Sequence, residues 1–395
     1  MENLIIKSNR KISQVSTEHK RYLHAKINRN TRMIAIKGAR GVGKTTLLLQ
    51  LGKERAIDEV LYVALDDLFF TSNTLHGLAE TFNQIGGKLL LLDEVHKYPN
   101  WSRELKLIYD DFPNLQVIFT SSSILELYKG ESDLSRRAVS YNLSTLSFRE
   151  YIAFREGIQL PQYSLVDIIE KHQEISNEII KTFTPYKYFF DYLKIGAFPY
   201  YEGDEYEYYQ KIMNTINLIL EVDIQITENI DFNTIAKLKR LLYVISSNVP
   251  FSPNINKLSE QIGLHRNALV RALQLLNKAS LIHTLYKQSK SISSLNKPDK
   301  IWMGNTNYMY AISDKQVEKG NLRETFFIQN MPIEYQLSLP QKGDVLVENK
   351  YLFEIGGKNK TTKQIQGQQK AFVVRDDIET GTLNIIPLWL FGFQY

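Results

Sequence analysis

Gly38-Ala39-Arg40-Gly41-Val42-Gly43-Lys44-Thr45 is a complete G-x-x-x-x-G-K-[ST] sequence, and the residues around it decide the fold. Upstream, Met33-Ile34-Ala35-Ile36 has the apolar run of a short buried strand. Downstream, Thr46-Leu47-Leu48-Leu49-Gln50-Leu51 reads as an apolar helix. Between such elements the glycines let successive backbone N–H groups curl around phosphates, and the helix turns its positive end towards them. Gly38, Ala39, Arg40, Gly41, Val42, Gly43, Lys44, Thr45 and Thr46 are therefore the candidate nucleotide-binding residues. Lys44 would reach the β- and γ-phosphates and the Thr45 hydroxyl would ligate Mg2+. The competing reading is a glycine-rich turn with a surface lysine. The cofactors this loop implies are ATP and Mg2+.

A loop of this kind needs a second strand that ends in an acid. Lys88-Leu89-Leu90-Leu91-Leu92-Asp93-Glu94 supplies four apolar residues and then two carboxylates. Asp93 would hold Mg2+ through water, and Glu94 would polarise the attacking water, unless it is only a surface acid at a strand end. Gln116-Val117-Ile118-Phe119-Thr120-Ser121-Ser122-Ser123 reads as another buried strand, ending in hydroxyls. In a parallel sheet its tip would lie beside Asp93, where Thr120 or Ser121 could sense the γ-phosphate or the attacking water. Turn and helix-cap chemistry is the alternative for such a serine run. Val60–Asp66 and Ala138–Leu143 bring the layer to about five strands. Arg136-Arg137 precedes the last strand. Arg137 is a candidate arginine finger acting on a neighbour's nucleotide, or half of a basic surface pair.

The chain has 395 residues, enough for several domains, with 43% hydrophobic and 23% charged residues. Its net charge of +5 conceals strong local asymmetry. Residues 1–40 carry ten Lys or Arg against two acids, 201–235 one against eight, and 236–300 eleven against two. Two electropositive regions suit a phosphate-binding module and a nucleic-acid-binding module, or else solvated helix faces. The absence of cysteine excludes disulfides, thiol nucleophiles and Cys-ligated metals. MENLIIKSNRKIS lacks the apolar core of a signal peptide, and no apolar run is long enough to cross a membrane, so a soluble cytoplasmic protein is expected.

Within the second basic block, Asn256 to Leu264 reads as a short helix closed by Gly263 at a turn. His265 to Leu276 reads as a second helix, with Leu269, Leu273 and Leu276 facing a core. Leu281 to Tyr286 follows like the first strand of a wing, with Lys287 and Lys290 at its tip. Arg266, Asn267, Arg271 and Gln274 would project outward, the types that contact phosphates and base edges. DNA is one partner this pattern admits; a protein partner is the other.

The runs IAIKGARGVGKTTLLLQ, LLLLDEVHKYPNWSRELKLIYD, VIFTSSSILEL and LSRRAVSYNLSTLSFREYI resemble a bacterial and archaeal family of AAA+-type P-loop ATPases. The likeness continues through Tyr192 to Pro199, through Gly320-x-x-Arg323-Glu324-Thr325-Phe326-Phe327, and into the terminal IPLWLFGF. The departures are Arg136 where a Gly commonly precedes the matching Arg137, Thr145 where a Pro is usual, and Ala197 for a second Gly. The resemblance implies an N-terminal ATPase domain, a central winged-helix region and a C-terminal domain similar to restriction-endonuclease-type nucleases. Such a nuclease would hold Mg2+ on two carboxylates, with a lysine two residues beyond the second orienting the water. Glu324, Asp344 and Glu354 are the available acids, but that lysine position is Gly356. A glycine bulge could bring Lys358 into place, or the site is decayed and kept for its fold. Gln364 and Gln368, four apart on an expected following helix, would line the same face or be exposed.

The expected fold class is α/β: an AAA+-like P-loop parallel sheet with helices on both faces, then a helical and winged-helix region, then a small α+β restriction-endonuclease-like domain. The expected divisions are an ATPase domain over 1–150, a helical lid or linker over 151–235, a winged helix over 236–305, and an inactive nuclease-like domain over 306–395. The expected function is that of an ATPase working as a nucleotide-driven switch on DNA or a protein, with further copies of itself as an additional partner and no membrane. An ATP-regulated Mg-dependent nuclease and a nucleotide-binding interaction module with little hydrolysis are the alternatives.

Overall fold

The computed structural model describes residues 1–121, 134–225, 230–247, 252–287, 297–313 and 316–395. The chain divides into two compact units, Met1–Thr145 and Leu146–Tyr395. The segments 151–235, 236–305 and 306–395 fall together in the second unit.

In the first unit, α1 (Glu2–Gln14) and α2 (Tyr22–Lys26) precede β1 (Met33–Lys37). Then come α3 (Lys44–Gly52), β2 (Val60–Ala64), α4 (Leu75–Gln84), β3 (Leu89–Asp93), α5 (Trp101–Asp111), β4 (Gln116–Thr120) and β5 (Val139–Asn142). All pairings are parallel, in the spatial order β2-β3-β4-β1-β5. A parallel sheet covered on both faces has strands that are apolar throughout, which is why Leu89 to Leu92 run without a polar residue and are all buried. Alternate residues take opposite faces. Ala35, Leu61, Val63, Leu90, Leu92, Val117 and Phe119 join Leu78 and Phe82 of α4 and Leu105 and Ile108 of α5 in one core. Leu91 faces the other way, onto α3. That helix crosses so closely that a Cβ on Gly52 would lie 2.7 Å from the Leu91 Cδ1. The strand order also sets the chemistry: β4 lies between β1 and β3, so the ends of these three strands are neighbours.

β2 is an edge strand, and α1 covers it. The buried Ser8 hydroxyl accepts a hydrogen bond from the Tyr62 N–H at 2.9 Å, which occupies an edge amide that a foreign strand could otherwise recruit.

The second unit is helical at first, through Phe148–Glu156, Leu165–Ile179, Pro185–Ile195, Glu205–Leu218 and Phe232–Ser246. A capping box between Ser147 and Glu150 starts the first of these. Asp204 caps the fourth by accepting from the Glu207 N–H, so part of the acidic stretch 201–235 forms the first turn of a helix. The helices Ile255–Ile262 and Arg266–Lys278 follow, then the antiparallel pair β6 (Ile282–Leu285) and β7 (Lys300–Met303). After the helices Thr306–Ile312 and Lys319–Gln329, a mixed sheet is built from β8 (Leu337–Ser338), β9 (Val345–Val347), β10 (Tyr351–Gly356), β11 (Ala371–Arg375) and β12 (Ile385–Pro387). Its order is β12-β11-β10-β9-β8. Among the described residues no helix is long and apolar enough to cross a membrane.

Ser8→Ala removes the acceptor from a buried amide, and the expected loss is about 1–3 kcal/mol of unfolding free energy by urea denaturation. A loss below about 0.5 kcal/mol would show that α1 does not protect this edge.

Candidate functional site

β1 delivers the chain into the loop 38–43, and α3 takes it out at Lys44. Gly43 caps that helix in the left-handed region, at φ +96°, where a side chain would strain the backbone. Gly38 is required by proximity instead: a Cβ there would stand 2.4 Å from the Leu143 carbonyl oxygen. The Lys44 ammonium lies inside the loop and is buried, donating to the Gly38 and Ala39 carbonyls at 2.9 and 2.7 Å. Thr45 and Thr46 lie in the first turn of α3. Arg21, a residue that sequence reasoning missed, donates to the Val42 carbonyl within the loop, and to the Ser144 and Thr145 carbonyls at 2.7 and 3.1 Å. It ties the loop to the chain leaving β5. A lone arginine in a basic block carries no local mark of this task.

The Asp93 carboxylate ends β3 and is only 4% exposed. Three hydroxyls converge on it. Thr45 Oγ1 donates to Oδ2 at 2.7 Å, Tyr62 donates to the same oxygen at 2.9 Å, and Thr120 Oγ1 donates to Oδ1. Thr120 also accepts from the Glu94 N–H at 3.2 Å, so one side chain at the end of β4 holds both acids. Glu94 itself sits at φ +52°, a conformation that costs a non-glycine residue about 1–3 kcal/mol and persists only where the surroundings enforce it. Its carboxylate lies 3.7 Å from the Arg40 guanidinium of the loop. The Ser121 hydroxyl is 3.1 Å from His96 Nδ1. Thr45 and Asp93 are hard oxygen donors side by side next to Lys44, a set that suits Mg2+ with its retained waters. Tyr62 escaped sequence reasoning because an aromatic residue in an apolar strand looks like core.

The structure places Arg137 against Asp110 of α5 in a two-pronged pair at 2.9 and 2.8 Å, within its own chain. Arg136 beside it is exposed.

In the second unit, Gly263 takes the left-handed conformation that closes Ile255–Ile262 and turns the chain into Arg266–Lys278. Leu269, Leu273 and Leu276 are buried, while Arg266, Asn267, Arg271 and Gln274 are exposed. Lys287 follows β6, its N–H donating to Asp299 at 2.9 Å. Lys290 lies outside the described residues.

The three C-terminal acids come together with lysines, but not in the expected manner. Lys300, from β7, donates to Glu324 at 2.7 Å and lies 3.7 Å from Asp344. Trp302 donates to Glu324 as well, at 3.1 Å, and Asp344 accepts from the Ile355 N–H at 2.8 Å. Glu354 is paired with Lys360, not Lys358, which is exposed. The Lys360 side chain folds back over Gly356 so closely that a Cβ there would meet its Cδ at 2.6 Å. Glycine at that position gives the lysine its path to Glu354. The helix expected to carry Gln364 and Gln368 is a single 3-10 turn, Thr362–Ile365, followed by Gly367 at φ +77°, and both glutamines are exposed. Among the described residues no group of three or more His, Asp or Glu could hold a metal ion.

Burial pushes Glu324 above the usual carboxylate range, and Lys300 opposes that shift. An acid whose folded pKa is raised destabilises the fold above that pKa, and the penalty fades as pH falls through it. Lys300→Met should therefore cost ~3 kcal/mol of unfolding free energy near neutral pH, a deficit that shrinks as pH falls and Glu324 takes up a proton. A deficit independent of pH would show that Lys300 acts by packing alone.

Residues 30–152 match the family model described as an AAA domain, and residues 186–316 match a domain of unknown function (DUF8612). An uncharacterized protein of Methanocaldococcus jannaschii is 28% identical over 291 residues, which cover 69% of this chain and 61% of the relative. The match thus spans about three-fifths of that relative's length. Among solved structures, the Walker-type ATPase of Pyrococcus abyssi is similar at 12% identity and a TM-score of 0.40, over 78% of this chain and 94% of that one. AMPPCP-bound DnaA from Aquifex aeolicus is similar at 17% identity and a TM-score of 0.27, over 65% and 84%. A complete phosphate-loop sequence between β1 and α3 and an acid pair ending β3 fall within the residues that match the AAA-domain family model, so the segment 30–152 is similar to an AAA domain.

Proposed function

We propose that this protein binds ATP with Mg2+ at the first unit and hydrolyses it, using the cycle to switch the second unit's hold on DNA. The observation that carries the first half is the convergence of Thr45, Thr120 and Glu94 on or beside Asp93, with Thr45 the residue next to the loop lysine. The loop N–H groups and Lys44 hold the β- and γ-phosphates. Thr45 and Asp93 would hold Mg2+, which would supply charge neutralisation on those phosphates. Glu94 accepts a proton from the attacking water as its oxygen bonds to the γ-phosphorus and the bond to the bridging oxygen breaks, releasing ADP and phosphate. Thr120 keeps Glu94 and Asp93 in register, and Ser121 with His96 borders the same strand end. Arg137, as a finger on a neighbouring copy, would have to leave Asp110 first.

The DNA half rests on the exposed Arg266, Asn267 and Arg271 of a helix that follows a tight turn and precedes the β6–β7 pair, the order of elements in a winged helix. Lys287 directly follows β6. A protein partner on the same face is the competing reading. The Lys300 ammonium between Glu324 and Asp344 weighs against the nuclease alternative, since it neutralises the acids that a metal ion would need.

Steady-state phosphate release tests the site. Lys44→Ala is expected to abolish both ATP binding and turnover, while Glu94→Gln keeps binding and lowers kcat by about 100-fold or more. Unchanged turnover in both variants would eliminate the assignment. For the second unit, duplex affinity should fall steeply with salt, and Arg266→Ala with Arg271→Ala should flatten that slope by about two. Binding that ignores salt and these arginines would leave a protein as the partner of this face.

A further inference from the structure

Tyr62 stands outside every role given so far, yet its hydroxyl touches the central carboxylate of the site. We infer that Tyr62 is the positioning residue for Asp93, the fixed donor that holds this carboxylate in its Mg2+-binding orientation. The inference rests on the ATPase reading above and deepens it.

Three donors reach Asp93, and they differ in what they are free to do. Thr45 Oγ1, 2.7 Å from Oδ2, donates its proton to the carboxylate and keeps its lone pairs for the ion. Thr120 is shared between Oδ1 and the Glu94 N–H. Tyr62 is bound to Asp93 Oδ2 at 2.9 Å and cannot swing away. Its side chain is 4% exposed, the Lys11 ammonium lies 4.8 Å from the ring centroid, and the Tyr62 N–H is anchored to Ser8. A carboxylate oxygen has two acceptor positions. With both positions on Oδ2 given to Thr45 and Tyr62, and one on Oδ1 to Thr120, the second position on Oδ1 is the one left for an ion-bound water. Tyr62 thereby selects which lone pair of Asp93 serves the ion.

A purely structural tyrosine would satisfy its own hydroxyl and affect only folding. The two roles separate in the Mg2+ dependence of ATP binding, measured on the full chain by equilibrium titration with a fluorescent ATP analogue, in EDTA and across a Mg2+ series. For Tyr62→Phe the affinity in EDTA should stay within about twofold of wild type, while the half-saturating Mg2+ concentration rises about fivefold or more. In turnover, kcat should fall with little change in KM at saturating Mg2+. Tyr62→Met, which loses the ring too, should show the same Mg2+ shift, and it replaces the phenylalanine variant if that one does not fold. A Mg2+ dependence within twofold of wild type in a folded variant overturns the inference. If the wild-type chain shows no turnover, the hydrolysis reading fails by itself, and the binding titrations still decide the role of Tyr62.

Discussion

A carboxylate buried at the end of a strand is tolerable only when its oxygens are occupied, and Asp93 is the point on which the first unit is organised. Desolvating an ionised carboxylate without partners costs far more than the stability of a domain. Here the partners arrive from three elements at once: Thr45 from α3, Tyr62 from β2 and Thr120 from β4. The requirement thus fixes the relative placement of the phosphate loop, an edge strand and the strand between β1 and β3. The same hydroxyl that satisfies Asp93 from β4 also holds the Glu94 backbone in its left-handed conformation. Folding and function make the same demand on this residue, because a carboxylate held by hydroxyls is already arranged to accept from the waters of a hard cation.

Much of this arrangement was legible in the sequence, for reasons tied to particular residues. Gly38 to Thr45 was readable because backbone N–H groups can approach phosphates only along such a run, and Asp93 and Glu94 because the four leucines before them have no other economical place than a buried strand. The hydroxyls ending β4 were readable from their position after a similar apolar run. Tyr62 and Arg21 were not, since each acts through a contact made by tertiary folding. One is an aromatic residue within an apolar strand and the other a basic residue in a basic segment. Neither composition nor periodicity separates a working side chain from a packed or solvated one in those settings.

The second unit shows the same division. The helix pair around Gly263 was readable because a glycine in the left-handed region is the common way to end one helix and start another at a short turn. The acid set was readable as three residues but not in its chemistry. Lys300 lies far along the chain from Glu324 and Asp344, and Lys360 reaches Glu354 by passing over Gly356, a path visible only in three dimensions. Internal ammonium groups satisfy these carboxylates, whereas hydroxyls satisfy Asp93. Hydroxyls leave a carboxylate its charge and so its attraction for a cation, while paired lysines neutralise it. The difference separates the two carboxylate sites of the chain by physical character and directs attention to the first.

The most direct measurement of that distinction is the gain in ATP affinity that Mg2+ confers, compared between the wild-type chain and Asp93→Asn. Asparagine keeps the shape of the side chain but loses the charge that an ion-bound water would meet. The wild type should bind ATP about tenfold or more tightly with Mg2+ than in EDTA, and the Asp93→Asn chain should lose that gain while binding ATP in EDTA as before. A Mg2+ gain that survives in Asp93→Asn would contradict the placement of the ion, and with it the organisation of the site around this carboxylate.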